Sequence, residues 1–158
     1  MDETDPGISV RAPRREDLAR VVALEKRCFA DPWEAEALEQ ELATDHLRLP
    51  LVAEVAGKVA GYLMAWKIVD QLHILNLATD PDLRRRGVGA ALLLAAARKA
   101  VELGMEEVTL EVRESNRQAR AFYQAYGFVP TGVRPGYYAD NGEDAIIMTT
   151  GVRAILDT

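Results

Sequence analysis

The sequence contains a single cysteine among its 158 residues, and this scarcity limits how the chain can work. Cys28 cannot form an internal disulfide, so the reducing cytoplasm is the expected location. It ends the apolar face of a predicted helix, where a buried, inert thiol is favoured over a nucleophile. The two histidines, His46 and His73, have no cysteine or carboxylate neighbours at ligand spacing, so no metal site is predicted.

Long apolar runs are also missing. The longest, from Val88 to Ala97, is interrupted by Gly89 and falls well short of the roughly 20 residues that a membrane-spanning helix needs. The first residues, MDETDPG, are acidic and lack the basic and apolar regions of a signal peptide. We therefore expect a cytoplasmic protein without a membrane partner.

Positive charge is in deficit, because 19 lysines and arginines stand against 25 aspartates and glutamates, for a net charge of −6. This balance argues against general nucleic-acid binding and is compatible with a basic protein partner. No repeat or low-complexity linker divides the chain. The sequence therefore predicts one domain over residues 1–158, with its core at about residues 8–150.

The residues that are present alternate between the periodicities of strands and helices. The predicted strands are Ile8–Arg11, Leu49–Val55, Val59–Val69, Leu72–Asp80, Glu107–Arg113, Phe128–Val133 and Glu143–Thr150. The predicted helices are Arg15–Cys28, one that Asp31 caps and Pro32 begins, Val88–Leu103, and Asn116–Tyr126. A turn at Gly57-Lys58 joins the second and third strands. A meander followed by alternating helices and strands predicts a mixed sheet with helices on both faces.

Three arginines, Arg84 to Arg86, precede Gly87 and Gly89 at the predicted start of a helix. The first amides of a helix lack intrahelical partners, and glycine lets a ligand approach them, so this loop suits a pyrophosphate. A nucleotide-triphosphate P-loop is disfavoured because Gly-Lys-Ser/Thr is absent. A dinucleotide fingerprint is incomplete but stays open, as does a solvated loop whose glycines serve only a turn.

The pattern Arg84-x-x-Gly87-x-Gly89 resembles the acetyl-CoA loop of the GCN5-related N-acetyltransferases (GNAT). Six further motifs follow in order: FADPW (29–33), NLATDP (76–81), LEVRESN (110–116), AFYQAYGF (121–128), RPGYY (134–138) and EDAIIM (143–148). Together they resemble the RimI family, whose members acetylate the N-terminal alanine of a small-subunit ribosomal protein. The resemblance runs from about residue 8 to residue 150. It implies an α/β fold with a mixed, mostly antiparallel central sheet and helices on both faces.

The resemblance also implies which residues bind acetyl-CoA. The end of a strand offers main-chain groups to the acetyl and pantetheine parts, the arginine-glycine loop surrounds the pyrophosphate, and an asparagine contacts the coenzyme arm. The implied set is Leu77, Ala78, Thr79, Arg84, Arg85, Arg86, Gly87, Val88, Gly89, Ala90 and Asn116. Three positions depart from the usual pattern: Thr79, Phe122 and Glu34, the last near the expected peptide site.

By the same resemblance, Glu111 is the general base and Tyr123 the general acid. A carboxylate can take a proton from an α-amino group, whose pKa is about 8, and a phenol can protonate a departing thiolate. Without the motif, Glu111 would be interpreted as a solvent-facing strand residue and Tyr123 as packing. Trp33, Tyr137 and Tyr138 either pack or line the acceptor groove.

The expected activity is therefore acetyl transfer from acetyl-CoA to the N-terminal amine of a ribosomal or other protein in the cytoplasm. One alternative is a relative that acetylates lysine side chains or small amines. A second is a catalytically silent acyl-CoA-binding module that acts through a partner protein. The presence of both Glu111 and Tyr123 counts against the silent module.

Overall fold

The computed structural model describes residues 7–158. Residues 1–6, most of the acidic stretch for which the sequence predicts no signal peptide, lie outside this range. Over the described residues, none of the helices has both the length and the apolar character needed to cross a membrane.

Seven strands form one sheet within the described residues, in the order β1-β2-β3-β4-β5-β7-β6. The strands are β1 (Ile8–Arg11), β2 (Leu51–Val55), β3 (Lys58–Ile68), β4 (Gln71–Thr79), β5 (Glu107–Arg113), β6 (Val129–Arg134) and β7 (Ala145–Gly151). All neighbours pair antiparallel except β4 and β5, which are parallel. The mixed, mostly antiparallel sheet predicted from the sequence is confirmed.

Helices cover both faces of this sheet. They are α1 (Leu18–Cys28), α2 (Ala35–Glu41), α3 (Val88–Glu102), α4 (Arg117–Ala125) and α5 (Val152–Leu156). Successive strand side chains point to opposite faces, and β3 shows the result: Leu63 packs in the cluster around α3, whereas Tyr62 and Met64 pack in the cluster around α1. Two separate apolar cores therefore hold the sheet between its helices.

Helix α3 is apolar on nearly all sides because it is enclosed on nearly all sides. Its inner surface packs on β1 to β4 and another surface packs on α5, a short helix that the sequence did not predict. Val152 and Ile155 of α5 are fully buried in the same core as Leu92 and Leu93. Packing against α5 as well as against the sheet explains why the alanine-leucine run of α3 is apolar on more than one side.

The turn between β2 and β3 lies one residue earlier than predicted. Ala56 and Gly57, rather than Gly57 and Lys58, occupy the turn, with φ values of 53° and 79°. Two successive positive φ values are typical of the tight hairpin turns that match strand twist. Lys58 is already the first residue of β3.

The start of the second helix is also wrong in the sequence prediction. Asp31 does not cap it and Pro32 is not its first residue, because α2 begins only at Ala35. The reason lies in the main chain of the segment: Glu34 is extended, with φ −66° and ψ 153°, so the helix cannot begin before it. The main-chain N–H of Trp33 donates to the Glu25 carboxylate of α1 at 3.0 Å, which ties the segment to α1.

Candidate active site

The parallel strands β4 and β5 pair over only half of their length. Gln71 to Ile74 pair with Glu107 to Leu110, and beyond that point β4 continues to Thr79 without β5 beside it. Leu75 has no partner in β3, where the register shifts. The two strands therefore separate and leave an opening in the middle of the sheet.

The main chain of β4 faces this opening at two residues. Asp80 donates its N–H to the carbonyl oxygen of Ala60 at 2.7 Å, and hydrogen-bonded pairs alternate along an antiparallel ladder. The main-chain groups of Leu77 and Thr79 consequently point away from β3 and into the opening. A ligand lying there meets strand hydrogen-bonding groups that β3 does not use, although the Thr79 carbonyl oxygen already accepts the Cys28 thiol.

A groove of about 600 Å³ begins at this opening. Every residue predicted to bind the coenzyme lies on its wall, together with Tyr123. The lining residues are Cys28, Phe29, Leu77, Ala78, Thr79, the loop 84–90, Asn116, Gln118, Ala119, Phe122, Tyr123 and Tyr126. Three distant parts of the chain, residues 28–29, 77–90 and 116–126, are thus brought together, and contact with a coenzyme stays a prediction.

The start of α3 forms one end of the groove. Gly87 has φ 85° and ψ 13°, a left-handed conformation that glycine adopts readily, and among the described residues no side chain caps the helix. The first intrahelical bond to Gly87 comes from the Ala91 N–H at 2.9 Å, so the amides of residues 88–90 are directed outward. Together with the positive end of the helix dipole, they suit an anion.

The three arginines of this loop are all solvent-exposed. Arg85 has a positive φ of 67°, a conformation that costs energy for a residue with a side chain. The loop therefore turns sharply in front of the helix and presents positive charge beside the outward amides. The donors match what a pyrophosphate needs.

Asn116 caps a helix, and its predicted contact with the coenzyme must be compatible with that role. Its side-chain oxygen accepts the Ala119 N–H at 3.0 Å and caps α4. Since that oxygen is occupied, the side-chain NH₂ group is the part of Asn116 suited to a ligand in the groove.

Glu111 lies on β5 directly after Leu110, the last residue that pairs with β4, with its side chain 9% exposed, and it is not among the residues that line the groove. His73 of β4 contacts it, with Nε2 2.7 Å from the Glu111 Oε1. The Arg134 Nε lies 3.7 Å from the other carboxylate oxygen. Burial by itself raises the pKa of Glu111, but the hydrogen bond and charge of His73 and the charge of Arg134 outweigh it, so the pKa lies below its usual value. Glu111 is therefore ionised near neutral pH and able to accept a proton.

Tyr123 lies on α4 with 8% of its surface exposed, between the rings of Phe122 and Phe128. Burial, with a smaller contribution from Tyr138, raises its pKa above the usual value. The phenol therefore stays protonated near neutral pH. A protonated hydroxyl on the wall of the groove is the state that a proton donor requires.

Comparison with known proteins agrees with this geometry. The family model described as "Acetyltransferase (GNAT) family" matches residues 18–128, which include α1, the arginine-glycine loop, β5 and α4. The chain belongs to the GNAT family. It is accordingly an acetyl-CoA-dependent N-acetyltransferase by family.

Individual GNAT relatives match most of the chain. An Escherichia coli (strain K12) protein named [ribosomal protein bS18]-alanine N-acetyltransferase is 34% identical over 134 residues, covering 84% of this chain and 89% of its own. The crystal structure of the E. coli ribosomal-protein-S18-alanine N-acetyltransferase superposes with a TM-score of 0.84 at 31% identity, covering 92% of this chain and 94% of that one. The crystal structure of Ard1 from Thermoplasma volcanium superposes with a TM-score of 0.83 at 31% identity, covering 92% of this chain and 97% of that one.

The aromatic residues predicted for the acceptor side of this GNAT chain occupy two places. Tyr137 and Tyr138 lie in the loop between β6 and β7, with their rings 5.1 Å apart. The guanidinium of Arg113 lies 4.0 Å from the Tyr138 ring, and that of Arg134 lies 5.4 Å from the Tyr137 ring. Tyr137 is 45% exposed, which leaves much of its ring accessible to an acceptor.

Trp33 lies in the segment between α1 and α2 and is 36% exposed. Through Glu25 this segment is joined to Asn76 of β4, directly before Leu77. The structure thus connects Trp33 to the strand that borders the opening.

Cys28 is half-buried rather than fully buried. Its Sγ donates to the carbonyl oxygen of Thr79 at 3.3 Å, and it forms part of the groove wall. Burial raises the pKa of the thiol, since desolvation outweighs the charge of Arg84. A protonated thiol agrees with the inert role predicted for it.

The sequence analysis did not predict the roles of three residues of the site. His73 was considered only as a metal ligand, whereas it bonds to the carboxylate across the parallel pair of strands. Arg134 and Glu25 were not singled out for any polar role. Alternation of His73 with Leu72 and Ile74 along β4 could have placed His73 on the face of Glu111, but only once β4 and β5 were known to be neighbours.

Proposed function

We propose that this protein acetylates the α-amine of proteins that begin with alanine, a ribosomal protein in particular, using acetyl-CoA. The proposal rests on the 34% identity to the E. coli protein named [ribosomal protein bS18]-alanine N-acetyltransferase, which extends over 84% of the chain. The half-buried pair of His73 and Glu111 beside the opening supports it, because the pair provides an ionised carboxylate where an amine acceptor would reach the groove.

Acetyl-CoA would bind in the groove with its pyrophosphate at the start of α3, facing the amides of residues 88–90 and the exposed arginines. The main-chain groups of Leu77 and Thr79 would hold the arm and the acetyl group, as strand-like hydrogen bonds. The bound molecule supplies an acetyl thioester. The residues of this chain provide its orientation and the movement of protons.

Glu111 would take the proton that the acceptor amine loses, directly or through a water molecule. Its lowered pKa makes it ionised but only a weak base, which suits an amine of pKa about 8 better than a lysine of pKa about 10.4. Outward N–H groups of β4 would stabilise negative charge on the carbonyl oxygen. Tyr123 would donate a proton to the departing sulfur.

The acceptor would reach Glu111 between Trp33 on one side and the loop of Tyr137 and Tyr138 on the other. Both places carry exposed aromatic surface, which binds extended peptides at low entropic cost. The charge of −6 favours basic residues further along the acceptor.

The experiment compares two forms of one peptide that starts with alanine and contains internal lysines: one with a free N-terminus and one with a blocked N-terminus. Both are incubated with the protein and acetyl-CoA, and mass spectrometry locates the acetyl group. We expect acetylation of the free form at the N-terminus only. Equal acetylation of the blocked form on lysine would assign the protein to lysine acetylation, and coenzyme binding without transfer to either would indicate a silent module.

A further inference from the structure

Glu25 is a buried carboxylate that the proposed mechanism does not use. It lies on α1 with 1% of its surface exposed. Its three hydrogen-bond donors are neutral: the hydroxyl of Tyr62 and the amide of Asn76 both donate to Oε1, the latter at 2.8 Å, and the N–H of Trp33 donates to Oε2 at 3.0 Å. Burying a carboxyl group costs free energy, which these three hydrogen bonds offset, so they tie Glu25 to the segments that carry the donors.

The three donors belong to three separate segments around the acceptor side. Tyr62 lies in the middle of β3, and Asn76 directly precedes the Leu77 main-chain groups that face the opening. Trp33 belongs to the segment between α1 and α2. Among residues 7–158, Glu25 is thus the side chain whose hydrogen bonds join the Trp33 segment to β4.

The bond to Trp33 is the part that bears on function. Pro32 and the exposed Trp33 ring lie in a segment that forms no helix, and α2 starts only after it. A main-chain bond to a buried carboxylate fixes the distance of this segment from β4, and a shift of about 1 Å in a binding wall is enough to weaken positioning strongly.

We propose that Glu25 is a positioning residue for the acceptor: it holds the Trp33 segment at the distance from β4 at which a peptide N-terminus reaches Glu111. This inference rests on the proposed function. It predicts that loss of the acceptor oxygen for Trp33 weakens use of the peptide, while coenzyme binding at the far end of the groove is unaffected.

The test compares three variants by steady-state kinetics with the alanine-starting peptide and by calorimetric titration with coenzyme A. Glu25→Met, similar in length but without polar atoms, is expected to raise the peptide KM about tenfold, with kcat and the coenzyme Kd within about twofold of wild type. Glu25→Gln retains an oxygen for the Trp33 N–H and is expected to restore KM to within about threefold.

Tyr62→Phe is the matched control, because it removes a bond to the same carboxylate but not the bond to Trp33. It is expected to lower the melting temperature without raising the peptide KM. A KM that rises equally in Tyr62→Phe and Glu25→Met, or that Glu25→Gln does not restore, would overturn the inference. If Glu25→Met does not fold, amide exchange in the wild-type protein decides: the Trp33 N–H should exchange at least about tenfold more slowly than that of the exposed Ala30, and equal rates would overturn the inference.

The kinetics of the wild-type protein separate this inference from the proposed function. A wild-type protein that acetylates no peptide N-terminus would overturn the proposed function, and the role of Glu25 with it. Normal wild-type activity with an unchanged KM in Glu25→Met would overturn only the role of Glu25.

Discussion

Burial raises the pKa of the Glu111 carboxyl and hydrogen bonding lowers it, and whether Glu111 can accept a proton depends on which effect is larger. The hydrogen bond from His73 keeps the Glu111 carboxylate ionised, although only 9% of that side chain is exposed. Glu111→Gln keeps the shape of the side chain but cannot accept the proton. We expect kcat to fall about 10²- to 10⁴-fold with an unchanged coenzyme Kd, measured by peptide acetylation and calorimetry. Turnover at the wild-type rate would mean that another group is the base.

His73 controls the pKa of Glu111, which leads to a pH prediction with a defined sign. Burial raises that pKa and His73 lowers it, so His73→Leu leaves burial opposed by Arg134 alone and the pKa rises. Activity should then be lost at a higher pH on the acid side, and carbon-13 NMR titration of the carboxyl should show the same upward change. His73→Gln keeps an N–H donor, so its Glu111 pKa should lie between those of wild type and His73→Leu. An unchanged carboxyl pKa in His73→Leu would contradict the assignment.

These two residues differ in how far the sequence could identify them. Glu111 alternates with Leu110 and Val112 in a short strand, and the motif around it resembles a known family, so it could be named in advance. His73 lies 38 residues away and acquires its role only through the parallel pairing of β4 with β5. Pairing across a crossover depends on tertiary packing, which local periodicity does not encode.

At the scale of elements, the start of α3 determines coenzyme binding. A Cβ placed on Gly89 would lie 3.5 Å from the Phe122 ring and 3.6 Å from the Thr79 hydroxyl, which are ordinary contacts, so the fold tolerates a side chain. Gly89→Glu places a carboxylate beside the anion site and is expected to raise the acetyl-CoA Kd about 100-fold. Gly89→Gln, equal in size but neutral, should have a much smaller effect. Equal affinities for the two folded variants would exclude a charge effect.

Gly61 of β3 illustrates a different requirement, that of close packing between sheet and helix. A Cβ there would lie 2.6 Å from the carbonyl oxygen of Ala78 and 2.8 Å from Val88 Cγ1. Gly61→Ala is therefore expected to lower the free energy of unfolding by about 1–3 kcal/mol, measured by urea denaturation. Gly132→Ala, whose Cβ would meet only Ile147 at 3.3 Å, is the control and should cost less. Equal losses would show that β3 can move away from α3.

The elements that sequence reasoning misplaced are those whose ends depend on distant contacts. The start of α2 was predicted from Asp31 and Pro32, which are good local signals, yet Glu34 is extended and the Trp33 N–H is bonded to Glu25, so the helix begins only at Ala35. Helix α5 has only five residues, too few for a periodic signal, and is stabilised by packing on α3. Long strands and α3 itself, with strong internal patterns, were placed to within a few residues.

At the scale of the whole molecule, the groove joins the end of β4 and the loop 84–90, which are close in the chain, to α4, which is distant from both. The motifs could name the residues of each segment. The opening that brings them together, however, comes from the separation of β4 from β5 after Ile74, and no single segment carries a signal for it. The resemblance predicted that these segments bind one coenzyme, but it did not predict the opening between the strands.

Because those three segments unfold together, a ligand that bridges them should stabilise the whole protein. Coenzyme A at 100 times its Kd adds about 2.7 kcal/mol to the free energy of unfolding, which for a chain of this length raises Tm by about 5–10 °C. The rise should increase with ligand concentration in a thermal scan. Glu111→Gln, at the acceptor end, should show the full rise, whereas Gly89→Glu should show almost none at the same concentration. A full rise in Gly89→Glu would mean that coenzyme A binds away from α3, because only a site that avoids the introduced carboxylate leaves the stabilisation intact.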